Sequence, residues 1–143
     1  MVPLLPRAQR SIPAPHFAAS CRDHDVKRND VLILSADPLA AALLGAAVEL
    51  VGHQPHFPEP RESPRVALRR VRPRAVLVDG EHEDACAESF IGPALMTGTR
   101  ILVFDAGGRG ERGAKLARHA GIEVVHLPDD HEKLLRCLEE LAA

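Results

Sequence analysis

The chain has 143 residues and a formal net charge of −2, which is room for one domain of ordinary size and little more. Hydrophobic residues make up 45% and charged residues 27%, a globular balance that excludes a wholly disordered chain. Aromatic residues are only 3%, four Phe with no Tyr or Trp, so a base-stacking platform is excluded, and the near-neutral charge removes the electrostatic case for a specific nucleic-acid binder.

Residues 1–29 read as a flexible tail. Pro3, Pro6, Pro13 and Pro15 lie among Arg, Ser and His without apolar periodicity, and the polar stretch CRDHDVKRND follows. This segment has no continuous apolar core of the kind a signal peptide needs, and no run in the chain approaches the roughly 18–20 apolar residues of a membrane span. The expectation is a cytoplasmic protein with no membrane partner. Cys21, Cys86 and Cys137 are scattered, without CxxC spacing, and read as plain thiols.

From Asp30 to Ala143 the pattern is that of a folded domain. VLILS (Val31–Ser35) is a continuous apolar run, the mark of a strand buried on both faces. Leu39–Gly52 is helical, opened by Asp37-Pro38 and closed by Gly52. HQPHFPEP is a weak, proline-marked edge strand, and Glu62–Arg72 a polar helix started by Ser63-Pro64. RAVLVD (Arg74–Asp79) is a second buried strand, followed by a less regular helix over Asp84–Met96. RILVFD (Arg100–Asp105) is a third, with a helix over Glu111–Ala120 ended by Gly121. IEVVHL (Ile122–Leu127) is the last strand and Asp129–Leu141 the last helix, with Leu134, Leu135, Leu138 and Leu141 on one face. Strand and helix alternate five times, which predicts an α/β fold: one (βα)5 doubly wound parallel sheet. Functional groups in such sheets gather beyond the carboxyl ends of the strands, here Ser35-Ala36-Asp37, Asp79, Asp105 and Leu127-Pro128.

Residues 30–143 resemble the receiver domains of two-component response regulators, CheY-like proteins with flavodoxin-like strand order 2-1-3-4-5. The resemblance rests on VLILSADPLAAALL, with its acidic turn ending in Asp37-Pro38, on RAVLVDGE, and on HLPDD. It places Asp79 at the phosphoacceptor position and Pro128 at the proline that follows the family's lysine. It also implies that the working set is degenerate. Ser35 and Ala36 stand where the family carries its magnesium-binding acid pair, and Asp105 stands at the hydroxyl position of the fourth strand. Leu127 replaces the lysine and Val124 the switch aromatic. The resemblance therefore implies a pseudo-receiver, not an enzyme, that works without aspartyl phosphorylation, by protein–protein contact or as a homodimer. It implies no resident cofactor.

Three further features carry weaker expectations. Asp37, Asp79 and Asp105, with Glu81, His82, Glu83 and Asp84 nearby, would suit a divalent cation if they converged; the alternative is that Asp37 caps a helix and the loop acids are solvated. Gly108, Gly110 and Gly113 form G-x-G-x-x-G after a strand, with Asp129 further on, and this pattern favours a rival reading as a nucleotide- or dinucleotide-binding Rossmann-like protein. Finally, Arg61, Arg65, Arg69 and Arg72 are spaced to line one helix face, joined by Arg70 and Arg74. That stripe would suit an acidic partner or a polyanion, or else form a solvated face. Two surfaces are expected to make contacts: the helix from Leu39, apolar all round but for Glu49, and the region of Leu127, Leu134 and Leu138, where receivers commonly dimerise.

Overall fold

The computed structural model describes residues 29–105 and 122–141, together with Lys115, which is helical. The tail over residues 1–28 and the glycine-rich segment 106–114 lie outside the described residues, as does most of the expected helix over Glu111–Ala120.

Strand β1 (Asp30–Leu34) leads into α1 (Pro38–Val51), then β2 (Gln54–His56) and α2 (Pro64–Val71). Strand β3 (Ala75–Asp79) follows, then α3 (Glu83–Cys86), α4 (Glu88–Met96), β4 (Arg100–Asp105), β5 (Ile122–His126) and α5 (His131–Glu140). All five strands are parallel, in the order β2-β1-β3-β4-β5. The expected fold class and strand order are those observed.

Alternation along the buried strands sends side chains to two faces, and each face has its own core. Leu32, Leu34, Val76, Val78, Ile101 and Val103 meet α2, α3 and α4 through Ala67, Leu68, Ala85, Phe90, Ile91 and Ala94. Val31, Ile33, Leu77, Leu102, Phe104 and Val125 meet α1 and α5 through Leu44, Val48, Leu134, Cys137 and Leu138. The sheet is thus covered on both sides by helices.

Local chemistry sets the helix ends. Asp37 is the N-cap of α1, its Oδ1 accepting from the Leu39 amide at 3.0 Å, with Pro38 in the first turn. Gly52 closes α1 in the left-handed conformation, φ 98°. Ser63 caps α2 by accepting from the Val66 amide, and α2 ends on Arg72 at φ 51°. A left-handed residue with a Cβ costs about 1–2 kcal/mol.

Several expected boundaries shift, each for a local reason. The helix expected over Asp84–Met96 is two, α3 and α4, because Ala87 is extended at ψ 149°. Arg61 is not on α2 with the other arginines; it lies in the preceding turn at φ 66°, where the Glu62 amide donates to the Glu59 carbonyl. In α5 it is Cys137, not Leu135, that completes the buried face with Leu134, Leu138 and Leu141. The contact surface expected at Leu127, Leu134 and Leu138 is not exposed: Leu134 and Leu138 are buried, and Leu127 packs against that same core. The amphipathic α5 turns its leucines onto the sheet. Among the described residues the exposed large apolar side chains are elsewhere: Leu39, Leu43 and Leu50 on α1, Met96 at the end of α4 and, less so, Phe57 and Val66.

Two polar groups tie the ends of the described chain together. Asn29, polar enough to read as tail, is buried; its side-chain amide donates to the Leu141 carbonyl at 2.7 Å. Its backbone amide donates to Nδ1 of His53, whose Nε2 lies 2.7 Å from the Leu138 carbonyl. Arg100 bridges β5 and α5 by donating to Glu123 at 2.6 Å and Glu140 at 3.0 Å. The guanidinium holds the Glu123 carboxyl below its ordinary range against the opposing effect of burial. Burial, helped by the Glu123 carboxylate 3.3 Å from Sγ, pushes the Cys137 thiol up to about 11. At pH 8 its thiolate fraction is then about a hundredfold below that of an unperturbed thiol titrating at 9.0. In the folded protein Cys137 should therefore resist iodoacetamide, as followed by peptide mass mapping. Rapid native-state labelling would show that the thiol is not held in this environment.

Candidate functional site

The carboxyl ends of the strands assemble the expected positions in register. Leu34 pairs with Val78, so the next step sets Ser35 beside Asp79, and Ser35 Oγ donates to Asp79 Oδ2 at 2.9 Å. The other oxygen, Oδ1, accepts the Glu81 amide at 2.9 Å. Ser35 Oγ in turn accepts the Asp37 amide at 3.1 Å, so serine, aspartate and the start of α1 form one connected chain. The Asp79 carbonyl has Cys86 Sγ at 3.4 Å, which fixes α3 under the loop.

The remaining positions are near but differently engaged. Asp105 closes β4, one step beyond the Asp79–Phe104 pair, and is only 4% exposed. Its carboxylate lies 3.8 Å from Nδ1 of His126, and its carbonyl accepts the Leu127 amide at 2.9 Å. The Leu127–Pro128 peptide is cis. Leu127 packs toward α1 and α5 with the second core, so its side chain adds apolar contact and no charge just beyond β5. Val124 is half-buried against the first core, and its carbonyl accepts from Lys133 Nζ at 2.9 Å. Ala36 is exposed.

Asp37 does not turn into the site, because capping of α1 takes its Oδ1. Among the described residues no group of three acid, histidine or cysteine side chains is placed to hold a metal ion, so Asp37, Asp79 and Asp105 do not form the cation cluster their sequence positions allowed. His82 is likewise a cap, with Nδ1 accepting the Ala85 amide of α3 at 3.3 Å. Gly108, Gly110 and Gly113 lie outside the described residues, and Asp129 is exposed in the turn before α5. Sequence reasoning missed the Glu81 amide, His126 and Cys86. The first two become visible only through backbone geometry and strand register; Cys86 looks like any small apolar residue.

No protein-family model matches the sequence, and no curated protein matches it either. Solved structures do match in fold. NtrX from Brucella abortus, crystallised with ADP, aligns with a TM-score of 0.64 at 15% identity, over 80% of this chain and 27% of that one. The receiver domain of the Francisella response regulator 1452 aligns at 0.59 and 15% identity, over 80% and 96%. The receiver domain of the histidine kinase PA1611 from Pseudomonas aeruginosa, solved with magnesium in its active-site cleft, aligns at 0.60 and 19% identity, over 80% and 97%. The chain therefore has the receiver fold, spanning about a quarter of NtrX but nearly the whole of the isolated receiver domains. No helix among the described residues is long and apolar enough to cross a membrane.

Proposed function

We propose that this chain is a receiver-like module of two-component signalling that acts through protein contact, as a homodimer or with another protein, without aspartyl phosphorylation. One observation carries the reading: both carboxylate oxygens of Asp79 are taken by neutral donors of the chain itself, Ser35 and the Glu81 amide. A phosphoacceptor needs a cation beside it to offset charge on the transferring group. The PA1611 receiver is described with magnesium in its cleft. Here the place of the acid pair is filled by Ser35 and Ala36, and that of the lysine by Leu127. A hydroxyl satisfies the Asp79 carboxylate but brings no positive charge. The contact surface in this reading is the outer stripe of α1, where Leu39, Leu43 and Leu50 are 67%, 63% and 83% exposed.

Incubation with acetyl phosphate and magnesium, followed by intact mass, tests the phosphorylation claim. The expected result is no phosphoryl adduct and a melting temperature insensitive to magnesium. Stoichiometric labelling that disappears in Asp79→Asn would overturn it. The contact claim is tested separately, with Leu43→Glu expected to weaken whatever self-association or partner binding the chain shows.

A further inference from the structure

We infer that the cleft between α2 and α4 is a binding site for a small phosphorylated molecule with an apolar body, of mononucleotide size. The cleft, partly open to solvent, has a volume of about 570 Å³ and is lined by Arg65, Leu68, Arg69 and Arg72 on one side, with Pro73, Pro93, Thr97 and Thr99 completing it. Sites for small organic ligands commonly fall in the range of about 300–1,000 Å³. Three of these residues are arginines and none is acidic. Among the described residues Arg65, Arg69 and Arg72 make no ion pair, whereas Arg70 on the same helix is paired with Glu62 at 2.7 Å and Arg100 with Glu123 and Glu140.

Helix stability does not explain where these arginines sit. Arg65 is the second residue of α2, in the first turn, where the helix dipole disfavours a positive charge and no acidic side chain offsets it. Arg72 holds the left-handed C-cap that glycine would occupy without strain. Arg69 in the last turn and the charge of Arg72 at the C-cap lie where the dipole welcomes them, so the cost at Arg72 is in its backbone alone. One charge against the dipole and one side chain on a left-handed backbone are thus kept beside the same cleft, and guanidinium forks match phosphate oxygens in shape and charge.

The floor suits an apolar body. Leu68, Pro73 and Pro93 supply it, while the threonines brace the wall: Thr97 Oγ1 donates to the Ala94 carbonyl at 2.8 Å and Thr99 Oγ1 to the Pro73 carbonyl at 3.4 Å. A local cleft with its cations within eight residues favours a compact ligand over an extended acidic peptide. The cleft involves none of the residues around Asp79, so it is independent of whether that aspartate accepts a phosphoryl group.

The test is calorimetric titration of the full chain with ATP, ADP and inorganic pyrophosphate at low salt, with amide chemical shifts followed at Leu68 and Thr99. ATP and ADP should bind and shift both amides, ADP more tightly than pyrophosphate because of the floor. The double variant Arg65→Ala, Arg69→Ala should lose at least about tenfold in affinity, the factor expected for one lost charge-assisted contact. Arg74→Ala, outside the cleft, should change nothing. The inference is overturned if no probe binds, if the double variant binds as well as the parent, or if Gly110→Glu and not the arginine changes abolishes binding. A glutamate-rich peptide that displaces ATP from the cleft would assign it to an acidic protein segment instead. Equal affinity for ADP and pyrophosphate would remove the apolar body from the ligand.

Discussion

Phe104→Ala should lower the stability of the domain by about 3–5 kcal/mol and its Tm by on the order of 10–20 °C. The ring is 2% exposed on the fourth strand, in the core formed with α1 and α5. Strands pack on either side of β4, so the backbone around the vacated volume has little freedom to collapse. The same residue touches the functional end of the sheet, since its carbonyl accepts the Gly80 amide at 2.9 Å. A cavity here should therefore loosen the loop that carries Glu81, the donor to Asp79. Urea unfolding gives the stability, and the Glu81 amide exchange rate gives the local effect. Phe104→Leu, which keeps most of the volume, should cost under about 1.5 kcal/mol. If alanine costs no more than leucine, the core is not packed around this ring.

His53→Leu is the second large effect, expected at about 1–3 kcal/mol although an apolar residue then fills a buried position. The imidazole is 2% exposed and serves two partners at once. Nδ1 accepts from the Asn29 amide, which assigns the ring proton to Nε2 and makes it the donor to the Leu138 carbonyl. Leucine leaves the Asn29 amide without its acceptor in a site closed to water, and such an orphan costs about 1–3 kcal/mol, whereas the Leu138 carbonyl loses one donor and keeps the Leu141 amide at 3.2 Å. The loss should appear as a lower urea midpoint with an unchanged slope. A near-neutral result would mean that the Asn29 amide finds another partner.

Much of the fold was legible because its signals are local. Continuous runs such as VLILS and RILVFD have only one comfortable place, a strand covered on both faces, and Asp37-Pro38 and Ser63-Pro64 announce helix starts by their own chemistry. The break at Ala87 was not legible, because alanine favours helix and no capping side chain or glycine marks its extended backbone. At the site, the resemblance named Asp79, Ser35 and Leu127, and strand register brings Ser35 onto Asp79 as a hydrogen-bonded pair. What the residues did not disclose was competition for the acids. Asp37 has the same carboxylate whether it binds a cation or caps a helix, and only the fold shows that the helix takes it. The arginine stripe was half legible: spacing aligned Arg65, Arg69 and Arg72, but placed Arg61 with them because a left-handed turn leaves no mark on a periodicity.

The short second strand has a consequence for how this molecule meets others. β2 is three residues long, with Pro55, which has no amide hydrogen to offer, at its centre, and His56 beside it is held by Asp30 at 2.9 Å. An incoming backbone would find too few donors on that border to continue the sheet. Strand addition from that side, the route by which parallel sheets fuse into larger assemblies or aggregates, is closed. Association on this side must then proceed through side-chain surfaces, and its specificity becomes a matter of which side chains the neighbouring helices present, substitutions that leave the sheet itself untouched.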